Sequence, residues 1–138
     1  MDKQKEKKKR HRYQYAVKIV CTAHIPGTSQ TSDGLLPGVY ETAVNIHNPH
    51  DKDVKIRKKV ANPGHISKFL TSGIKPDGVE RFVCKKIQDF GTTFIHGFEG
   101  FLVIESPHSL DVTAVYTAGA SGGGVASIAV EQIKERKL

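Results

Sequence analysis

The chain of 138 residues has no tryptophan, and aromatic residues make up only 7% of it. Its two cysteines form no Cys-x-x-Cys pair, which excludes a zinc ribbon or a thioredoxin-type site. No apolar run reaches the roughly 18 residues that a membrane span needs, so we expect no span. Apolar residues at 38% are nevertheless enough for one globular domain.

Positive charge is concentrated at the two ends of the chain. Residues 1–12 carry seven Lys or Arg against two acids, and residues 134–138 carry three against one. Residues 13–133 have no net charge, so the net charge of +7 belongs to the ends. The sequence predicts a basic arm at 1–12, a folded domain at 13–133 and a short basic tail at 134–138. No apolar segment follows the arm, which predicts a cytoplasmic protein without a secretory signal, while export by another route or a surface location stays open.

Alternation of apolar and polar residues predicts β-structure along the whole domain. One face of residues 15–21 and one face of residues 40–46 are apolar, and residues 101–104 form a continuous apolar run typical of a central strand. Residues 110–117 and 125–133 alternate in the same way. Residues 79–87 fit either a strand or a short helix, and the neighbouring strands favour a strand. Seven or eight short strands separated by turn residues predict an antiparallel β-sandwich or jelly roll.

The firmest local prediction is a hairpin over residues 39–61. Residues 40–46 and 54–60 both alternate with period two, and Asn48-Pro49 with the acids at 51 and 53 reads as the turn between them.

Cysteines and histidines are the candidate chemical groups. Cys21 and Cys84 lie in predicted strands, where a free thiol behaves as a small apolar side chain; a disulfide requires neighbouring strands and an oxidising compartment. His47 and His50 have a spacing that can bind zinc or copper, but Pro49 separates the rings and no third ligand is specified. We predict no metal, no cofactor and no catalytic residue, and expect His47 to hydrogen-bond the turn.

Two groups of residues are candidate contact sites. The extended segment Tyr13–Tyr15 could add to the sheet edge of a neighbouring molecule. The second group lies on one predicted strand, where lysines on an edge discourage aggregation; a stripe that contacts phosphates is the alternative, although no aromatic residues interleave there for base stacking. The arm group is Lys7, Lys8, Lys9, Arg10, Arg12, Tyr13 and Tyr15, and the strand group is Lys55, Arg57, Lys58 and Lys59.

Three stretches carry a family resemblance: residues 15–21, residues 37–49 and residues 100–117. The chain resembles a group of small, poorly characterised bacterial and archaeal β-sandwich proteins. It is also distantly similar in layout to the sensory rhodopsin transducer family. The resemblance implies a soluble, oligomeric β-sandwich that binds a partner and performs no chemistry. The basic arm and the Gly/Ser loop at 118–124 depart from the family pattern, and no rhodopsin partner is implied.

The leading hypothesis is a non-enzymatic structural subunit that binds copies of itself, in a ring or filament. A body without net charge does not repel its copies strongly, which favours association. One alternative is a transducer-like binding module for a small ligand or signalling protein, with a polar pocket among the loops at 24–38 and 118–124. Another is nucleic-acid binding through the arm, with a steep salt dependence. An enzyme is the least expected class.

Overall fold

The computed structural model describes residues 11–22, 35, 38–92, 94, 97–119 and 124–138. Within these ranges the chain forms ten strands and one 3₁₀ helix. No helix in them is long and apolar enough to cross a membrane. The elements are β1 (Tyr13–Thr22), β2 (Val39–His47), β3 (Val54–Asn62), β4 (His65–Ile66), β5 (Leu70–Ile74), β6 (Val79–Val83), the 3₁₀ helix (Cys84–Phe90), β7 (Gly97–Ser106), β8 (Asp111–Gly119), β9 (Val125–Gln132) and β10 (Arg136–Lys137).

The strands form two antiparallel sheets, which confirms the predicted all-β sandwich. Sheet A has the order β10-β1-β7-β3-β4, and β5 also pairs with β3. Sheet B has the order β6-β2-β8-β9. The ten strands exceed the seven or eight predicted, partly because β4 and β10 have two residues each, too few to show a period.

Period-two alternation places one face of each sheet in the core. β1 contributes Tyr15, Val17, Ile19 and Cys21, each at most 1% exposed, and Val44 and Ile46 face them from sheet B. The Tyr15 hydroxyl donates to the carbonyl of Leu110 at 3.1 Å and accepts from its amide at 2.7 Å. The Glu135 carboxylate also lies 3.0 Å from this hydroxyl, so backbone and side-chain groups together satisfy the buried tyrosine.

The predicted hairpin over residues 39–61 is wrong, although both of its strands exist. β2 pairs with β6 and β8 in sheet B, whereas β3 pairs with β4, β5 and β7 in sheet A. The connection crosses between the sheets at Asn48, which is fully buried. Its amide donates to the carbonyls of Lys52, Ile74 and Lys75 at 2.8–3.1 Å. Alternation defines the buried face of a strand but not its partner, and here the strands have opposite partners.

Cys21 and Cys84 form a disulfide with a Cα–Cα distance of 5.9 Å, so their interpretation as free thiols is wrong. Residues 79–87 combine both alternatives, because β6 ends at Val83 and the 3₁₀ helix begins at Cys84. This change of backbone turns Cys84 towards the end of β1 across the sandwich. The bond therefore joins β1 of sheet A to the 3₁₀ helix that follows β6 of sheet B, and both cysteines are buried.

Candidate functional site

β9 is an exposed strand at the edge of sheet B. It pairs with β8 on one side, and no described strand pairs with its other side. All eight of its residues are exposed, including Val125 at 68%, Ile128 at 64% and Val130 at 70%. Residues 125–130 contain neither a charge nor a proline. We call residues 125–130 the β9 edge, because they present strand backbone and aliphatic side chains together.

The β9 edge continues an apolar row on the outer face of sheet B. The register places Val130 beside Val115, Val115 beside Ala43, and Ala43 beside Val83. The last three residues of this row are half-buried, and only Val130 is largely exposed. The row crosses all four strands, so the exposed aliphatic side chains extend a larger apolar surface rather than standing alone.

The other described strand edges are short, charged or covered. Beyond Gln14, β1 is the edge of sheet A, but the Thr42 hydroxyl accepts from the Val20 amide at 2.9 Å and donates to its carbonyl at 2.8 Å. The Tyr116 hydroxyl donates to the carbonyl of Lys18 at 2.8 Å. β6 has only five residues, two of them charged, and β5 has five. These are common protections against edge-to-edge pairing. The β9 edge is neither charged nor covered by a described strand, and its one irregularity is the register shift between Ser127 and Val125.

A cleft of about 320 Å³ lies between β9 and β1. Tyr40, Tyr116, Val20, Ala129 and Glu131 contribute to its walls. Burial raises the pKa of Tyr116, and the Glu131 carboxylate adds to this rise. Leu35 and Ala118, from the two loops at 24–38 and 118–124 where a polar pocket is predicted, also line the cleft, but its walls are mostly carbon. Most residues of those two loops lie outside the described residues.

The predicted arm is only partly within the structure. Lys7, Lys8, Lys9 and Arg10 lie outside the described residues. The amide of Arg12 donates to the carbonyl of Ser106 at 2.9 Å, Tyr13 pairs within sheet A, and Tyr15 is in the core.

The segment Tyr13–Tyr15 pairs with β7 on one side, and Tyr13 and Gln14 pair with β10 on the other. Addition of this segment to the sheet of a neighbour would require β10 to leave, and it stays a prediction. The tail at 134–138 is not separate either, since β10 pairs with β1 and the Arg136 guanidinium donates to the side chain of Gln14.

The basic residues of β3 do not protect an edge, because β3 lies between β7 and the short strands β4 and β5. The predicted anti-aggregation role is therefore wrong. Arg57 pairs with Glu105 and Lys58 with Glu80. Arg57 and Lys59 also lie over the ring of Phe69, at 4.1 and 4.7 Å from its centre. Lys55 is exposed, but ion pairs occupy two of the four bases, which weakens the phosphate-stripe alternative.

His47 and His50 are held apart by different partners. Nδ1 of His47 lies 2.7 Å from Asp111 and its Nε2 lies 2.7 Å from Asp77, while Nε2 of His50 bonds the carbonyl of Ser109. Among the described residues no group of three or more His, Cys, Asp or Glu is placed to hold a metal ion. His47 does hydrogen-bond a turn, but the turn is that of Asp77, between β5 and β6, and not its own.

We expect the pKa of His47 to lie above its ordinary value, because hydrogen bonds to Asp111 and Asp77 favour the charged ring. Its contribution to stability is then complete below the unfolded-state pKa of about 6.5 and is lost as pH rises through the folded-state pKa. Asp111→Asn is expected to lower the pKa measured by NMR titration of His47. Glu99→Gln, on sheet A, serves as the control. Equal His47 pKa values in the wild type and Asp111→Asn would contradict the assignment.

The strand predicted at 125–133 is confirmed as β9, but the sequence pattern does not indicate a contact site there. One feature of the sequence could have indicated the exposure of β9. Ser127 and Ala129 occupy its inward-facing positions, where the core strands carry Val, Ile or Phe, and such small side chains indicate a face that is not packed in the core.

Comparison with known proteins gives a fold and no family. No family model matches the chain, and no curated protein matches it. It is similar to the crystal structure of Thermotoga maritima 1070, with a TM-score of 0.61 and 11% sequence identity. The similarity covers 91% of this chain and 95% of that one. At this identity the similarity supports the sandwich fold alone, and the resemblance to the transducer family stays a prediction.

Proposed function

We propose that the protein is a non-enzymatic structural subunit that associates with copies of itself through the β9 edge. The observation that carries the proposal is this exposed, uncharged strand edge in a sandwich whose other described edges are short, charged or covered. Long apolar edges are avoided in proteins that stay monomeric, because they pair with other strands. Such an edge is therefore expected in a protein that pairs with another strand through it.

Charge also favours association of the folded body. Residues 13–133 carry no net charge, so two copies repel each other weakly when their bodies meet. The end of the arm lies against the tail that follows β9, because the amide of Leu138 donates to the carbonyl of Arg12 at 2.8 Å. Replacement of the arm lysines and Arg10 therefore separates a salt dependence caused by the arm from the association of the domain.

Light scattering on the full chain over a range of concentrations tests the proposal. We expect a mass of at least two chains, retained when Lys7, Lys8, Lys9 and Arg10 are all replaced by Gln. A monomer at every concentration would contradict the proposal. That result would favour the binding-module alternative, for which the cleft between β9 and β1 is the candidate ligand site.

A further inference from the structure

We infer that β9 pairs antiparallel with β9 of a second copy about a twofold axis, so that two sheets B become one eight-stranded sheet. This inference rests on the proposed self-association and names its geometry. On the side of β9 where no described strand pairs, the strand backbone is available, and main-chain hydrogen bonds to an added strand satisfy it. Val125, Ile128 and Val130 would be covered at the same time.

The best partner for the β9 edge is another β9 edge rather than the opposite edge of sheet B. That opposite edge, β6, has five residues against eight in β9, and it contains Glu80 and Arg81. The Glu80 carboxylate is already paired with Lys58. Pairing of β9 with β6 would also leave one free edge of each kind at the ends and continue into a filament. Pairing of β9 with itself closes at two chains, in place of the ring or filament expected from the sequence.

The sequence of β9 is compatible with pairing to itself. A twofold axis along the sheet normal keeps each residue on its own face, so opposed residues are separated by an even number of positions. Two registers retain most of the strand: Ile128 opposite Ile128, or Ile128 opposite Val130. Both bring aliphatic side chains together on the outer face. Glu131 faces Ser127 in the second register, and in the first it meets the segment before Ser127, where the register of β8 and β9 shifts. In neither register do the two carboxylates oppose each other.

Two lysine substitutions at exposed valines, made one at a time in the full chain, test the interface. Val130→Lys is expected to weaken the dimer by about tenfold, because lysine on an edge strand opposes edge-to-edge pairing and two aliphatic cross-strand contacts are lost by symmetry. Val79→Lys is the matched control, since Val79 is 60% exposed and lies on β6 at the other edge of the same sheet. Both residues are exposed, so both variants are expected to keep the circular dichroism spectrum of the wild type; the unfolding midpoint of Val130→Lys should fall only by the stabilisation that the dimer contributes.

The outcomes separate this inference from the proposal on which it rests. A monomeric wild type contradicts both. A wild-type assembly that survives Val130→Lys, or one that only Val79→Lys disrupts, overturns the β9 pairing and leaves self-association standing. A dimer lost only in Val130→Lys supports both.

Cross-linking tests the register directly. Both native cysteines are in the disulfide, so an introduced cysteine is the one free thiol of the chain. Opposed residues in antiparallel strands have Cα atoms about 4.5–5.5 Å apart, which a disulfide can span. Ile128→Cys is expected to give a covalent dimer on mild oxidation in the first register, and Ala129→Cys in the second. Val79→Cys should give none. Absence of a covalent dimer in both β9 variants would overturn the inference.

Discussion

Reduction of the Cys21–Cys84 disulfide is expected to lower the free energy of unfolding by about 4 kcal/mol at 25 °C. The bond joins residues 63 positions apart, and a loop of that length removes much of the conformational freedom of the unfolded chain. Domains are commonly stable by only about 5–15 kcal/mol, so this loss is a large fraction of the total. Both cysteines are buried, and the reduced protein therefore has to be prepared in denaturant and refolded with reductant present.

Urea unfolding of the oxidised and reduced chains measures the difference. The double variant Cys21→Ala/Cys84→Ala is the control, because its stability should not respond to reductant. It is expected to be less stable than the oxidised wild type, through the lost cross-link and the lost packing of two buried side chains. A difference below about 1 kcal/mol between the oxidised and reduced wild type would contradict the chain-entropy argument.

The sequence predicted the faces of the strands better than their neighbours. Tyr15, Val17 and Ile19 are buried as their alternation indicated, and so are Val44 and Ile46. The partners of β2 and β3 were predicted wrongly, because a turn of a few polar residues can close a hairpin or cross to the other sheet. Which of these occurs depends on distant groups such as the carbonyls of Ile74 and Lys75, which accept from the Asn48 amide.

Neither the disulfide nor the exposure of β9 could be predicted, because both depend on where distant segments lie and not on the local sequence pattern. A pairing between Cys21 and Cys84 depends on the backbone change from β6 to the 3₁₀ helix, which local pattern left undecided. The exposure of β9 depends on where the strand lies in the order of sheet B. Its period-two pattern is the same whether the strand is central or at an edge. Only the small side chains of Ser127 and Ala129 indicate an edge position.

Gly100→Ala is expected to destabilise the protein by at least about 3 kcal/mol. Gly100 lies in β7, where β3 passes close to it on one side and β1 pairs with it on the other. A Cβ at this position would lie 2.1 Å from the carbonyl oxygen of Ala61 and 3.0 Å from Cα of Asn62. Both atoms belong to the backbone, so relief requires the end of β3 to move away from β7 and not merely a side-chain rotation.

Gly73→Ala is the matched control, because Gly73 is also in a strand of sheet A and a Cβ there would meet nothing within 4 Å. Each substitution removes a similar amount of freedom from the unfolded chain, which stabilises by about 0.4–1 kcal/mol. Gly73→Ala should therefore be neutral or slightly stabilising in urea unfolding, and the difference between the two variants reports the close approach of β3 alone. Equal free energies of unfolding for the two variants would mean that the end of β3 can move away from β7 at no cost in stability. The expected large difference would show that β3 can pair with β7 at Ala61, and form the turn that follows, only because Gly100 has no Cβ.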